Sequence, residues 1–465
     1  MGHTQLIAEF ALGTPFDGLS GQVVSISKDM MLNAAAVALA GAAQPEALAL
    51  TRFAQEMGGN GKCTIVGMGL RTSPVYAALA NGTMVHLLDF DDEVVDRGIH
   101  LSSAVFPVVM ALGEMNGYAG KDVLTAFAVG CEVASKLAGL VGPGAATASG
   151  PGGNGLGVAA AIGATMAAGR LLGLDQEEME NALGIACGSG GWSRADLVFP
   201  SRPLQHGRAA MNGTMAVLLA RRTFGRFESS RQGIEAPGGF LDCYIDPDSA
   251  PSIPDPEALL SQLGNPFDVV HPGVTLKPYP CASAGHTTID AVLQLVQQYR
   301  IDPGEVRSAR VTVSPATLQA MVYPCPQSGR EARFSLTYLT AAALLYGAPL
   351  IEQFTDSAVQ DPPVRELMAR VMVDASMKPT SESRPLASQA STVTLDMVDG
   401  RQLGHRVDVP RGHPELPLDQ DDLEAKFLYC SRYILPPDHI EGAVEQFRDL
   451  ENVRDITGLA SILGG

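Results

Sequence analysis

The chain has 465 residues, which suits two to three domains of about 150 residues each, or one large domain with an insertion. It carries 32 basic and 50 acidic residues, a net charge of -18. This balance excludes nucleic acid as the default partner, because phosphate binding needs a basic face. Hydrophobic residues make up 46% of the chain, which excludes a disordered protein, since disorder needs low hydrophobicity and high charge density.

The cysteines and the N-terminal sequence indicate a cytoplasmic protein. The seven cysteines are scattered and show no C-x-x-C spacing, which favours a reducing compartment and no structural zinc site. The first lysine is Lys28, so the basic start of an export signal is missing. The uncharged stretch 137–169 contains prolines and many glycines, and we interpret it as a loop followed by a buried helix, with no membrane span.

Small-residue helices dominate the chain up to about Phe240. The composition is rich in Ala, Leu, Met and Val with few β-branched runs, which favours closely packed helices. Asp175 and Glu178 form a capping-box pattern, and Arg221 and Arg222 indicate a last helical turn that ends at Gly225. The predicted helices are Met31–Ala43, Pro74–His86, Val123–Leu137, Gly157–Leu172 and Ala209–Thr223.

After about Asn265 the residue pattern changes from small-residue helices to a mixture of helix and strand signals. A helix is predicted at Ile289–Tyr299 and a strand at Ala309–Val313. Asp399-Gly400 has the chemistry of a two-residue hairpin turn with positive backbone angles. The flanking strands are Ser391–Val398 and Gln402–Val409, and the later helices are Asp419–Tyr433, Asp438–Asp449 and a short one before Gly464.

These elements predict a mainly α fold in two parts. Residues 1–265 and 413–465 are expected to form a large all-helical domain from both chain ends, with a smaller α+β domain at 266–412 inserted. A cleft between two such domains is the usual place for a ligand.

The segment His86-Leu-Leu-Asp89-Phe-Asp91-Asp92, followed by His100, is the first candidate site. If the preceding helix continues through Asp89, His86 and Asp89 share a face and the carboxylate can orient the imidazole. Catalysis is the preferred interpretation. A divalent metal site and a solvated acidic loop remain open alternatives.

Two further segments could bind a carboxylate. The glycine-rich run 150–157 lacks the preceding strand of a dinucleotide loop. It is either a helix N-terminus that holds an anion or a site of close helix packing. Arg202 and Arg208 lie at the start of a predicted helix, where they either bind a carboxylate or pair with local acids on the surface.

Lys277 lies in an uncharged segment bracketed by prolines, in a chain with few lysines, and this placement predicts a specific role. Cys281 and His286 follow it. A nucleophile and base is one interpretation of that pair, and a buried structural thiol is the preferred one. The sequence has no G-x-S-x-G or Walker pattern, so hydrolase and phosphate-loop functions lose support.

Taken together, these segments resemble the MmgE/PrpD family. They occur in family order from near residue 80 to the C-terminal helices. The matching stretches are Asn81-Gly82, His86 to Asp92 with His100, Gly130 to Val133, Gly169 to Leu174, Gly207 to Ala210, Lys277 to Cys281 with His286, and Glu331 to Ser335.

The resemblance implies a helical domain plus a lid domain, a homodimer, and a site between the two domains that needs no cofactor and no metal. It implies that Asp89, His100 and Lys277 are catalytic. His100 would act as acid and base, with Asp89 setting its tautomer. The residues expected to bind substrate are His86, Asn154, Arg202, Gln205, His206, His286 and Tyr323.

Three positions depart from the family pattern. Asn154 stands where relatives typically have histidine, and Arg202 and Gln205 stand where they have lysine and histidine, with His206 one place displaced. Arg202 can bind a carboxylate but is a poor proton donor.

The expected function is therefore a lyase that abstracts a proton next to a carboxylate in a small di- or tricarboxylate. Dehydration like that of 2-methylcitrate dehydratase is preferred. Decarboxylation of a cis-aconitate-like acid and epimerisation of an iminodisuccinate-like amino diacid are the alternatives. A non-catalytic carboxylate-binding relative is an alternative of a different class.

Overall fold

The structure is a computed structural model that describes residues 2–141, 155–191, 201–223, 228–245, 254–377 and 389–465. The chain forms two compact units. Unit 1 comprises 1–87, 91–274 and 419–465, and unit 2 comprises 88–90 and 275–418. The protein is mainly helical, as predicted, with small sheets.

Unit 1 is built almost entirely from helices, with two short antiparallel strands at Cys63–Ile65 and Leu70–Thr72 and a two-residue strand at Asp92–Glu93. Its longer helices are His3–Gly13, Gly21–Ala42, Pro45–Gly58, Pro74–His86, Ser102–Asn116, Gly120–Val141, Leu156–Leu172, Gln176–Cys187, Arg202–Thr223, Gln420–Ser431, Pro437–Arg448 and Thr457–Gly464. Short helices lie at Phe240–Tyr244 and Pro256–Leu260.

Glycine and alanine let these helices pack very closely, as the composition predicts. A β-carbon at Gly163 would lie 2.4 Å from the carbonyl oxygen of Gly130 and 2.6 Å from the β-carbon of Ala134. Helices Gly120–Val141 and Leu156–Leu172 therefore touch backbone to backbone, which a larger side chain would prevent.

The predicted helices are all present, and most are longer than their apolar patterns. The bounds of Pro74–His86 are as predicted, whereas the predicted Met31–Ala43 is the second half of Gly21–Ala42. The Ser20 side chain accepts a hydrogen bond from the Val23 N–H and starts that helix. The capping box of Asp175 and Glu178 is confirmed. Gly225, the predicted end of Arg202–Thr223, lies outside the described residues.

Unit 2 contains a four-stranded sheet covered by helices. The strand order is Val371–Asp374, Val306–Val313, Ser391–Met397, Gln402–Val407, with the first pair parallel and the other two antiparallel. The helices are His286–Tyr299, Pro315–Ala320, Gly329–Ala332, Leu336–Tyr346, Asp356–Val359 and Pro362–Met368, and a two-residue strand lies at Thr275–Leu276. Val393 and Leu395 point into the core, and their neighbours are half-buried, as the period of a strand requires.

The predicted two-residue hairpin turn is wrong. Gly400 has a positive φ of 90°, but Asp399 does not share it. Met397 N–H donates to the Arg401 carbonyl at 2.8 Å, and Gly400 N–H donates to the Met397 carbonyl at 3.1 Å. The loop therefore has three residues, with glycine at the left-handed position that closes a bulge. Asp399 would need a positive φ in a two-residue turn, but it does not need one in this three-residue loop.

The borders of the units differ from the predicted ones at three places, one of which is 413–418, predicted in the helical domain but part of unit 2. Residues 266–274 were predicted in the inserted part but belong to unit 1, because the Lys136 ammonium lies 2.7 Å from the Asp268 carboxylate. Residues 88–90 belong to unit 2. A lid role for unit 2 stays a prediction.

Two helices, Gly21–Ala42 and Gly120–Val141, are long and apolar enough to cross a membrane by length and composition alone. In these helices 72% and 94% of the apolar window is buried inside the protein. Core helices of globular proteins meet the same criteria, so the finding is weak support for a span. The predicted buried helix after the uncharged stretch is Leu156–Leu172, while 142–154 lie outside the described residues.

Replacing Gly163 with alanine should destabilise the protein by about 1–3 kcal/mol, because the new methyl overlaps the backbone of the neighbouring helix. Gly458→Ala is the matched control, since a β-carbon there meets no atom within 4 Å. The control should leave the free energy of unfolding unchanged or slightly higher. Denaturant unfolding measures both, and equal values for the two variants would contradict the close packing.

Candidate active site

The helix Pro74–His86 places an imidazole at the centre of unit 1. Its last turn is fully buried, and His86 is 2% exposed. The helix ends there, and Asp89 follows with a φ of 52°, in the left-handed region that a non-glycine residue adopts rarely. The prediction that His86 and Asp89 share a helical face is therefore wrong.

The loop that follows is shaped by its own hydrogen bonds. The Asp92 carboxylate accepts from the backbone N–H groups of Leu101 and Ser102 at 3.1 and 3.2 Å, at the start of helix Ser102–Asn116. An acidic side chain is favourable there because it meets unsatisfied amides and the positive end of the helix dipole. Val94 and Ile99 pair across the loop. The result is that His100 returns to the side of Asp91.

Asp91 lies between two imidazoles. Its carboxylate is 3.0 Å from His86 Nδ1 and 3.3 Å from His100 Nδ1, and all three side chains are buried. The two rings meet edge to face, with centroids 4.5 Å apart. One carboxylate can thus orient both rings and stabilise a positive charge on either of them.

A third imidazole, that of His206, stacks on His86 with ring centroids 3.6 Å apart. This contact depends on a close helix approach, because a β-carbon on Gly207 would lie 2.3 Å from the Leu79 carbonyl oxygen. His206 Nδ1 lies 2.8 Å from Ser103 Oγ, whose hydroxyl donates to the His100 carbonyl at 3.2 Å. Which of the two atoms donates in the contact between Ser103 Oγ and His206 Nδ1 depends on the tautomer of the ring.

Burial controls the charge of this cluster. Loss of solvation lowers the pKa of His86 to about 4 and outweighs the nearby Asp91 carboxylate. The pKa of His206 is held well below its ordinary value, first by burial and then by the charges of the other histidines and Arg202. Burial alone would raise the pKa of Asp91, but the two imidazoles outweigh it and hold that pKa well below its usual range.

Asp92 behaves in the opposite way. Burial and the adjacent Asp91 carboxylate raise the pKa of Asp92 to about 6, against the hydrogen bonds from Ser102. Adjacent carboxylates in a dry site titrate apart, so Asp91 ionises first as the pH rises and Asp92 loses its proton only near pH 6.

Asp89 and Lys277 form a buried ion pair within unit 2. Lys277 is 1% exposed, and its ammonium bonds the Asp89 carboxylate and lies 3.4 Å from the Asp89 carbonyl oxygen. Asp89 was predicted to set the tautomer of His100. The Asp91 carboxylate lies 3.3 Å from the Nδ1 of His100, and a role of Asp89 toward that ring stays a prediction.

The other predicted site residues fall in different places. Arg202 is half-buried at the first position of its helix, and its charge acts on His86 and His206. Gln205 is buried one residue before His206. Asn154 and most of the glycine-rich run lie outside the described residues.

His286 and Tyr323 belong to unit 2, and their predicted substrate-binding role stays a prediction. His286 Nε2 lies 3.2 Å from the Cys281 carbonyl oxygen, and its ring meets the Tyr279 ring edge to face. Tyr323 is half-buried, and its backbone N–H donates to the Phe334 carbonyl. Burial raises the pKa of the Cys281 thiol strongly, so this cysteine is the buried structural thiol that was preferred.

A divalent metal could use three residues of the cluster. One possible ligand atom from each of His86, Asp91 and His100 lies within 4.8 Å of the others. Nitrogen and carboxylate donors of this kind suit zinc and related ions. The Asp91 carboxylate already bonds His86 Nδ1 at 3.0 Å, and an ion bound there would have to replace that contact.

Profiles of known families match both parts of the chain. The MmgE/PrpD N-terminal domain matches residues 5–252, and the MmgE/PrpD C-terminal domain matches residues 279–451. The chain belongs to the MmgE/PrpD family. The resemblance inferred from the motifs is thereby confirmed.

Family members with a known activity align with almost the entire chain. The cis-aconitate decarboxylases of Mus musculus and Homo sapiens are each 28% identical to it, cover 99% of it, and are themselves covered over 93% and 94% of their length. The cis-aconitate decarboxylase of Aspergillus terreus is 26% identical, with 99% and 96% covered.

Sequence reasoning missed the position of Asp91 between the two rings and the contact of Ser103 with His206. Both lie inside segments that had been singled out, but the spacing from His86 to Asp91 is not a helical spacing. Only the end of the helix at His86 and the unusual backbone at Asp89 bring residue 91 back to the ring.

The contribution of His86 to the free energy of unfolding should fall as the pH decreases from about 6.5 to about 4, while the raised pKa of Asp92 contributes in the opposite direction below about pH 6. Over that range the unfolded chain takes up a proton on His86 that the folded protein, with its pKa of about 4, refuses. The stability from this group is complete above the unfolded value, and about 3 kcal/mol is lost across the window. The depressed pKa of Asp91 adds a further loss only below the ordinary aspartate value.

Denaturant unfolding of the wild type, His86→Gln and His271→Gln at several pH values measures this effect. As the pH falls from about 6.5 to about 4, the free energy of unfolding of His86→Gln should rise relative to that of the wild type, because the variant lacks the His86 contribution. His271→Gln, which alters an exposed histidine, should keep the slope of the wild type. Identical slopes for His86→Gln and the wild type would remove His86 as the source.

Proposed function

We propose that this chain is a lyase that decarboxylates a small tricarboxylate of the cis-aconitate type by histidine acid–base chemistry. The observation that carries the proposal is a buried carboxylate, Asp91, between two imidazoles in a chain aligned over 99% of its length with cis-aconitate decarboxylases. These imidazoles suit a lyase that needs no resident cofactor, since imidazole moves protons in both directions near neutral pH.

Decarboxylation of such an acid needs a proton donor. The bond to the leaving carboxylate breaks, and its electron pair forms a new double bond to the adjacent carbon. The electrons of the old double bond then take up a proton at its far carbon, so one proton is consumed for each carbon dioxide released. His100 is proposed as the donor, with Asp91 stabilising its charged form at 3.3 Å.

Binding of the substrate would supply the protonated state. In the free protein, burial and the charge of Arg202 favour neutral rings at His86 and His206. A polyanion beside the rings would reverse this, because a nearby negative charge raises the pKa of an imidazole. Arg202 is proposed to bind one substrate carboxylate through its planar fork, with Gln205 beside it as a neutral hydrogen-bonding group.

Dehydration remains a second candidate because of one observation. Removal of a proton next to a carboxylate needs a base, and the low pKa values of His86 and His206 keep both rings neutral in the free protein. With a hydroxyl on the neighbouring carbon as leaving group, the same residues would expel water.

NMR of the purified protein with cis-aconitate, hydroxy acids, unsaturated acids and amino diacids in deuterated buffer distinguishes these reactions. We expect loss of carbon dioxide and one deuteron in the product. His100→Gln should reduce this turnover by about 10²–10⁴-fold, the usual contribution of a general acid or base, while the protein stays folded. His405→Gln, in the sheet of unit 2, is the control that should retain it.

The other outcomes each have a meaning. Loss of water would favour dehydration, and inversion with exchange would favour epimerisation. No turnover and no exchange into a bound acid would leave a carboxylate-binding protein. Unchanged turnover in His100→Gln would remove this imidazole from the mechanism.

Lys277 is proposed as a catalytic residue. Because it forms an ion pair with Asp89, its test needs both a single and a double variant. Lys277→Met leaves a buried carboxylate without its cation, which should cost about 3–5 kcal/mol of stability. Lys277→Met with Asp89→Asn removes both charges and should recover most of that loss, yet turnover should stay at least about 10²-fold below wild type.

Thermal unfolding and turnover are measured on the single and the double variant. Wild-type turnover in the double variant would show that the pair only supports the structure.

A further inference from the structure

A buried network of four charged side chains lies in unit 1 outside the histidine cluster. Glu132 and Lys136 come from helix Gly120–Val141, Asp268 precedes the segment 269–273, and Arg97 belongs to the loop between Asp91 and His100. Glu132, Lys136 and Asp268 are at most 2% exposed. Glu132 belongs to the family-like stretch Gly130 to Val133, for which the proposed chemistry has no use.

The contacts form a continuous chain of opposite charges. The Asp268 carboxylate lies 2.7 Å from the Arg97 guanidinium through one oxygen and 2.7 Å from the Lys136 ammonium through the other. Lys136 lies 3.5 Å from the Glu132 carboxylate. Glu132 also accepts the backbone N–H groups of Gly264, at 2.9 Å, and Asp268. Two acids and two bases therefore meet in a largely buried place, where burial and the Asp268 carboxylate raise the pKa of Glu132 to about 7.

The network holds a short, closed loop. Arg97 ends the turn Val95–Arg97, and Gly98 follows with a positive φ of 63°. The Val94 N–H donates to the Ile99 carbonyl at 2.9 Å and closes the loop at its base. Arg97 also donates to the Ser135 carbonyl on the long helix. Movement of Arg97 would therefore be passed to both ends of the loop.

Those two ends carry the reacting groups. Asp91 and Asp92 precede the closed loop, and His100 follows it directly. The 3.3 Å contact between Asp91 and His100 requires that the two ends stay in register. The Cys131 thiol, beside Glu132, feels the charges of both Asp92 and Glu132, which puts the network within electrostatic range of the loop.

We propose that Arg97, Asp268, Lys136 and Glu132 form a positioning network that holds Asp91 and His100 in catalytic register. The four residues are proposed to position the reacting groups without touching the reacting atoms. The inference rests on the proposed acid–base role of His100. Its effect is expected on the chemical step, since a small misplacement of an acid–base group lowers turnover far more than binding.

Arg97→Met, Arg97→Lys and Lys28→Met are the variants that test the network. Lys28 is the matched control, because its ammonium also bonds a carboxylate, Glu451, and a carbonyl, Arg448, but not the loop. Arg97→Met should lower kcat about 10–100-fold with KM changed less than about threefold. Arg97→Lys, which keeps a charge beside Asp268, should recover most of the kcat, and Lys28→Met should keep it.

A second readout does not depend on activity. The side-chain ¹⁵N resonances of His86 and His100 should shift in Arg97→Met and stay unchanged in Lys28→Met. If the wild type turns over no acid, the proposed function fails, and these resonances still decide whether the network orders the rings. Unshifted resonances, a kcat loss that only follows the unfolded fraction, or equal kcat in Arg97→Lys and Arg97→Met would overturn the network.

Discussion

The burial of charge is the constraint on which unit 1 depends. Small residues pack its helices so closely that the ionisable side chains between them lose their water, and every buried charge then needs a partner at contact distance. Asp91 meets this requirement with two imidazoles, and Asp268 meets it with Arg97 and Lys136. The side chains proposed for chemistry therefore meet the same packing requirement as those that only support the structure.

The same constraint accounts for the unusual charge states of the histidines. In a dry site a neutral ring costs less than an imidazolium, so His86 and His206 stay neutral while Asp91 stays ionised. A neutral imidazole in such a cluster can take up a proton when an anion binds beside it. Close helix packing at Gly207 allows the His206 ring to stack on the His86 ring. The charge states of these rings therefore depend on helix geometry as well as on residue type.

Much of the fold could be predicted because the relevant signals are local. The helix Pro74–His86 has a proline at its first position and a run of good helix formers, and its bounds are as predicted. The capping box at Asp175 needs only four neighbouring residues. The three-residue hairpin loop could not be predicted from Asp399-Gly400, since that pair suits both turn lengths, and the strand register decides between them.

For the candidate site, the sequence by itself determined which kinds of groups are present: histidines, carboxylates, a scarce lysine and an arginine in a family-like order. Tertiary structure decided which of them pair. The helix stops at His86 and the left-handed backbone at Asp89 redirects the chain, so that Asp91 lies between the rings. The physical reason is that periodicity describes neighbours along one helix, whereas residues 86, 100 and 206 meet only after separate helices have packed.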